Sequence, residues 1–128
     1  MMEPVNRHMQ VNQQPATSDA IRRSIKSASL KTGVDFGFLL NTAMRESSLQ
    51  VGAQSSASSA TGLFQFIEST WLETLKQDGP QHGLDRYARQ ISKLSNGRYV
   101  VNDPVIRDEI LNLRSDPEIA SIMAGALT

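Results

Sequence analysis

Phe36-Gly37-Phe38-Leu39-Leu40-Asn41-Thr42-Ala43-Met44-Arg45-Glu46-Ser47-Ser48 is a run of apolar and small residues that closes on a carboxylate. Asp35 precedes it as an N-cap, and Val34 stands where a hydrophobic staple would. The spacing predicts a helix over 36–47. On such a helix Leu39 and Glu46 fall on the same face. A carboxylate on an apolar face is costly to ionise, because burial disfavours the charged form. Glu46 would also lie in the last turn, where the helix dipole opposes negative charge. Both effects favour the protonated form, which is what a general acid needs.

Upstream, Ser18 reads as the N-cap of a helix over 19–31, with Ile21, Ile25 and Ala28 on one face and Thr32-Gly33 at its end. Residues 1–17 are polar, with Gln, Asn and Pro, and read as a mobile tail ahead of a single domain over 18–128. Residues 47–61 are rich in Ser and Ala and carry no charged side chain. They read as a long loop with little to pack, of the kind often kept for function. Gly62-Leu63-Phe64-Gln65-Phe66-Ile67 is nearly apolar, and if extended it turns Gln65 away from its two Phe neighbours. Ser69 or Thr70 then caps a helix over 70–77, with Thr70 and Glu73 spaced as a capping box, and Gln77-Asp78-Gly79-Pro80 stops it. Leu84, Tyr87, Ala88, Ile91 and Leu94 predict a helix over 84–94. Ser95-Asn96-Gly97 is a turn, and 98–101 a brief extended piece. Asp103-Pro104 and Asp116-Pro117 each set a cap before a Pro at the first helical position, and open helices over 104–114 and 117–127. The reading is all-α, with six helices.

The chain has 128 residues, enough for one core. Thirteen basic and thirteen acidic residues cancel, so nucleic acid is a poor partner. There is no cysteine, which excludes disulfides and thiolate metal sites. His8 and His82 lie far apart in polar surroundings, so neither a metal nor a catalytic His is expected. No apolar run is long enough to span a bilayer, and the first residues show no signal peptide.

Glu46-Ser47-Ser48-Leu49, the Ser/Ala loop, and then Ala60-Thr61-Gly62-Leu63-Phe64-Gln65-Phe66 together resemble the soluble lytic transglycosylase family, whose fold is that of goose-type lysozyme. The family's first motif is a Glu-Ser pair at a helix end. Its second is Gly-Leu-Met-Gln, here Gly62-Leu63-Phe64-Gln65. Its third is Asn-Ile, two residues, then Gly. Here Asp116-Pro117 precedes Ser121-Ile122-Met123-Ala124-Gly125, with Ser121 in place of Asn. The fourth motif, a Tyr near the Glu from a later helix, has no counterpart before Thr128. The domain is therefore expected to be incomplete at its C-terminal end, or shortened. Tyr87 and Tyr99 read as packing residues rather than as substitutes for the missing Tyr, and of the two Tyr99 is the better substitute.

The resemblance implies an all-α, lysozyme-like domain that cuts the MurNAc–GlcNAc β-1,4 bond of peptidoglycan without metal or cofactor. Glu46 is the implied acid, then base, and the product a 1,6-anhydro sugar. Gln65, Gly62, Leu63, Phe64, Ser47 and Ser121 are the implied substrate-side residues, Ser47 chiefly as a buttress of the Glu helix. A periplasmic or envelope location is implied, with glycan strands as partner and an envelope-spanning assembly as a further one. Two-carboxylate glycosidases need a second acid. Glu68 is the nearest candidate, and its place before a helix start explains it otherwise. Glu73 and Asp85 likewise have helix-start explanations. Trp71, spaced with Leu72 and Leu75, reads as core. Two other readings compete: a non-catalytic peptidoglycan-binding or scaffold module, and a muramidase that uses water.

Overall fold

The computed structural model describes residues 17–128, so the tail expected over 1–17, except Thr17, and His8 lie outside the described residues. Six α-helices appear among these: α1 (Ser18–Thr32), α2 (Phe36–Ser47), α3 (Glu68–Asp78), α4 (Asp85–Ala88), α5 (Pro104–Asn112) and α6 (Pro117–Leu127). Short 3-10 turns follow α3 (Gly79–His82) and α5 (Leu113–Ser115). A two-stranded antiparallel hairpin, β1 (Ser92–Lys93) and β2 (Tyr99–Val100), pairs Ser92 with Val100 and Lys93 with Tyr99.

The helix caps follow from local chemistry. Asp35 Oδ2 accepts from Phe38 N at 2.9 Å. Asp103 and Asp116 each accept from the first free amides of the helices that Pro104 and Pro117 begin. Two caps differ from expectation. Thr17, not Ser18, caps α1, its Oγ1 accepting from Ala20 N at 3.1 Å. The Thr70–Glu73 capping box does not form, because α3 starts earlier, at Glu68. The Ser59 hydroxyl from the preceding loop accepts from Glu68 N at 3.0 Å and replaces a local cap.

The helix expected over 84–94 is much shorter. Leu84, Ala88 and Ile91 are buried as the spacing required. Past Ala88 the chain tightens, with Gln90 N donating to Tyr87 O and Ile91 N to Ala88 O. Residues 92–93 then enter the hairpin, and Leu94 is left exposed. Helical spacing persisted in the sequence because the buried positions are real, but the ladder captured the end. Similarly, the helix expected over 104–114 breaks at Asn112 into a 3-10 turn. Asp116, held extended before Pro117, forces that break.

The core is one cluster in which α1 and α6 pack most extensively. Ile21, Ile25 and Ala28 of α1 and Ala120, Met123 and Ala124 of α6 all belong to that cluster. Small residues let the two backbones approach closely: a Cβ added at Gly125 would lie 2.5 Å from Thr32 Oγ1. Trp71 is fully buried, meets Phe66 edge-on at 4.9 Å, and donates Nε1–H to Ile110 O at 2.9 Å. That bond ties α3 to α5 and fulfils the core reading of this residue.

Gly125→Ala should therefore cost about 1–3 kcal/mol by overpacking the α1–α6 seam. Urea unfolding measures it, and an unchanged midpoint would mean the two helices separate freely.

Candidate active site

Helix α2 buries Leu39, Ala43 and Ser47, a stripe repeating every four residues. Glu46 sits at the edge of that stripe and is exposed. The burial invoked from the Leu39–Glu46 spacing is therefore not found. A face that is apolar for two turns ends, at its last turn, on the surface. Ser47 is the buried neighbour, and its hydroxyl donates to Ala43 O at 3.0 Å within its own helix.

The backbone just past Glu46 is strained. Ser48 and Leu49 both have positive φ, 54° and 62°. Neither is Gly or Asn, so the left-handed conformation costs energy that the surrounding contacts must offset. Ser48 N donates to Met44 O and closes α2. Leu49 and Val51 pack against the core. The loop thus turns sharply away just after the carboxylate.

The loop expected over 47–61 is not loosely held: its second half folds together with the 62–66 piece that follows. Gly62 N donates to Ala53 O at 2.8 Å, Ser55 N to Ala60 O at 3.0 Å, and Thr61 N to Phe66 O at 3.1 Å. These bonds fold it onto itself. Residues 62–65 form a turn, with Gln65 N on Gly62 O at 3.1 Å, rather than an extended piece. Strand alternation therefore does not govern Gln65. Its φ is 52°, the third positive-φ residue among the described non-glycines. Its Nε2 donates both to Gly62 O at 2.9 Å and to Ala53 O at 3.1 Å. Both donors of the amide are used by the turn itself, so Oε1 is what remains for a ligand. Among the described residues Oε1 has no protein partner, and no buried side-chain polar atom is left unpaired, so Oε1 meets solvent.

Gln65 lines a cleft of about 280 Å³ with Phe64, Phe66 and Ile67 on one side and Phe38, Thr42 and Arg45 of α2 on the other. Ala124, Leu127 and Thr128 of α6 close one end. The cleft is mostly apolar with a few polar groups, the usual composition of a ligand site, but at the small end of the usual volumes, roughly 300–1,000 Å³. The α2 residues that line it lead along the helix toward Glu46, one turn beyond Thr42.

The other expected residues are placed differently. Leu63 and Ser121 are fully buried, and Ser121 Oγ donates to Pro117 O at 2.6 Å. Gly62 is buried with φ 88°, and a Cβ there would meet Arg114 O at 2.0 Å. Glu68 is held by Arg107 at 2.8 Å. Tyr99 accepts from Gln77 Nε2 through its hydroxyl at 2.9 Å, on the hairpin. Among the described residues no three His, Asp or Glu side chains gather to hold a metal ion, and no helix is long and apolar enough to cross a membrane.

A family model described as the transglycosylase SLT domain matches residues 23–95, more than half of the chain. The chain belongs to that family. It is a transglycosylase-type, lysozyme-like all-α domain, with peptidoglycan as the implied substrate class. The match runs from within α1 to just past β1, and so takes in both Glu46 and the Gly62–Gln65 turn. Helices α5 and α6 lie beyond it. They nonetheless supply part of the site: α6 closes the cleft, and Arg114, just past α5, contacts the turn. Sequence reasoning missed Arg114 and Ser59, whose roles depend on partners far along the chain, and Phe38 and Thr42, which it read only as part of the apolar run of the helix over 36–47.

Gly62→Ala is expected to lower stability by about 1–3 kcal/mol or more, since it adds both a strained φ and a backbone clash. Amide hydrogen exchange should show the loss concentrated at residues 53–66. Wild-type protection there would mean the turn is not as tightly seated as these contacts imply.

Proposed function

We propose that this SLT domain is a peptidoglycan lytic transglycosylase that cleaves the MurNAc–GlcNAc β-1,4 bond without water, with Glu46 as its only acid and base. One observation carries the reading. Gln65 is held in a left-handed turn with both amide donors spent on backbone carbonyls, and it lines a cleft together with Phe38, Thr42 and Arg45 of α2, the helix whose last turn carries Glu46 beside the lining residue Arg45. A Gln so placed offers an acceptor only. It suits the N–H of a sugar acetamido group, and it would refuse a carbonyl oxygen. Phe38, half-exposed, supplies apolar surface for a sugar face.

In this mechanism the carboxylic acid of Glu46 gives its proton to the glycosidic oxygen as the C1–O bond breaks. The resulting carboxylate takes the proton of the C6 hydroxyl, whose oxygen bonds to C1 and closes the 1,6-anhydro ring. Glu46 ends as it began, protonated, and no water is consumed. Its exposure in the free domain is compatible with this role. A glycan laid against the end of α2 would strip water from the carboxyl group, and desolvation favours the uncharged acid. A hydrolytic muramidase fits less well, since the nearest candidate for a second acid, Glu68, is committed to Arg107. The exposure of Glu46 is the observation that favours the remaining alternative, a binding module without turnover. The periplasm or cell envelope is the proposed place of action. Glycan strands of the wall are the proposed partner, and an envelope-spanning assembly is the proposed means of bringing the domain to them.

Glu46→Gln should reduce glycan cleavage by about a hundred-fold or more while leaving the unfolding midpoint unchanged, because an exposed residue carries no packing. Turbidity clearance of purified sacculi, read beside thermal unfolding, tests it. Wild-type clearance by this variant would contradict the assignment, and sacculus binding without clearance by either form would support the binding module.

A further inference from the structure

We infer that Arg114 is a positioning residue for the proposed reaction, fastening the turn that carries Gln65 to the body of the domain. Its guanidinium is buried and makes three directed bonds to carbonyl oxygens. Nε donates to Leu111 O at 2.9 Å, on its own side. Nη1 donates to Ser59 O at 2.6 Å and to Phe66 O at 3.0 Å. Ser59 and Phe66 bracket the Gly62–Gln65 turn. The backbone carbonyl of the same residue lies against Gly62, where only a missing Cβ leaves room. Arg114 thus holds the turn at both ends with its side chain and abuts its middle with its main chain.

A packing role alone would not need this. Helix α3 is already tied to α5 by Trp71 Nε1 on Ile110 O and by the Glu68–Arg107 pair. Removing the guanidinium therefore leaves those ties in place and loosens the turn. Burial pushes the Arg114 pKa down from its ordinary value, and the nearby Glu68 charge opposes that shift. The charge is retained where a planar fork can meet several carbonyls at once. Lysine, with one nitrogen and no fixed fork, cannot reproduce that pattern. Glu68 gains a role here as well: it supports a buried cation rather than acting on substrate.

The kinetic part of this inference rests on the transglycosylase reading, and the structural part does not. Two measurements on the full chain separate them. In amide hydrogen exchange, Arg114→Lys should release Thr61, Gly62 and Gln65 while α1 and α6 keep their protection. In a double-mutant cycle, Arg114→Lys should lower turnover of sacculi about tenfold to a hundred-fold, the scale expected when a positioning contact is lost. In a Gln65→Gly background, which removes the amide and relieves the left-handed strain, the same change should have little further effect. Should the lysine variant fail to fold, Arg114→Met replaces it, with similar volume and no charge to bury. Unchanged exchange at 61–65, or an equal loss of turnover in both backgrounds, overturns the positioning role. If wild type itself fails to cleave, the transglycosylase reading is at fault, and the exchange result still decides whether Arg114 holds the turn.

Discussion

The bonds from the buried Arg114 guanidinium to Ser59 O and Phe66 O tie the two flanks of the Gly62–Gln65 turn to the segment that follows α5. A segment made mostly of Ser, Ala and Gly has few side chains to bury and would otherwise lose much conformational entropy on ordering. The domain fixes it through its backbone instead. The Ser59 and Phe66 carbonyls go to Arg114, several amides of the segment pair with carbonyls within it, and the Gln65 side chain bonds back to it. The strain at Gln65 is tolerated because these contacts over-determine the turn. A polar side chain held this firmly can present one acceptor at a defined place, which a mobile loop cannot.

The carboxylate on the other side is held quite differently. Glu46 is exposed, at the end of a helix whose buried stripe runs through its neighbour Ser47. Helix α2 fixes its backbone on one side and the left-handed pair Ser48-Leu49 on the other. The side chain is free to meet a substrate. On the proposed transglycosylase reading, the site pairs a rigid acceptor with an accessible carboxyl group, and substrate binding, not the fold, has to exclude water from it.

Much of the fold was legible because its signals are local. Asp35, Asp103-Pro104 and Asp116-Pro117 start helices through contacts within three residues, and Gly33 ends one by turning left-handed. The apolar stripes on α1 and α2 follow from spacing alone. Signals failed where a distant partner competed. Ser59 displaced the Thr70–Glu73 box, and the hairpin took the end of the predicted helix over 84–94. In the sequence Arg114 is only the polar last residue of the helix expected over 104–114, since its key partner Ser59 is 55 positions away. Positive φ at Ser48, Leu49 and Gln65 carries no sequence mark, because tertiary contacts rather than Gly impose it. For Glu46 the position was legible and the environment was not. A helical period locates a face to within a residue, and at its rim one residue separates buried Ser47 from exposed Glu46.

The chemical form of the newly cut glycan ends is the sharpest test of Glu46 as sole acid and base. Purified sacculi digested with the domain, then resolved by chromatography and mass spectrometry, report how the glycan chain was cut. A single acid and base acting with the substrate's own C6 hydroxyl predicts 1,6-anhydro ends, lighter by one water than hydrolysed ends and resistant to borohydride reduction. Reducing ends that accept hydride would contradict this mechanism, and would require a second group that delivers water to the anomeric carbon.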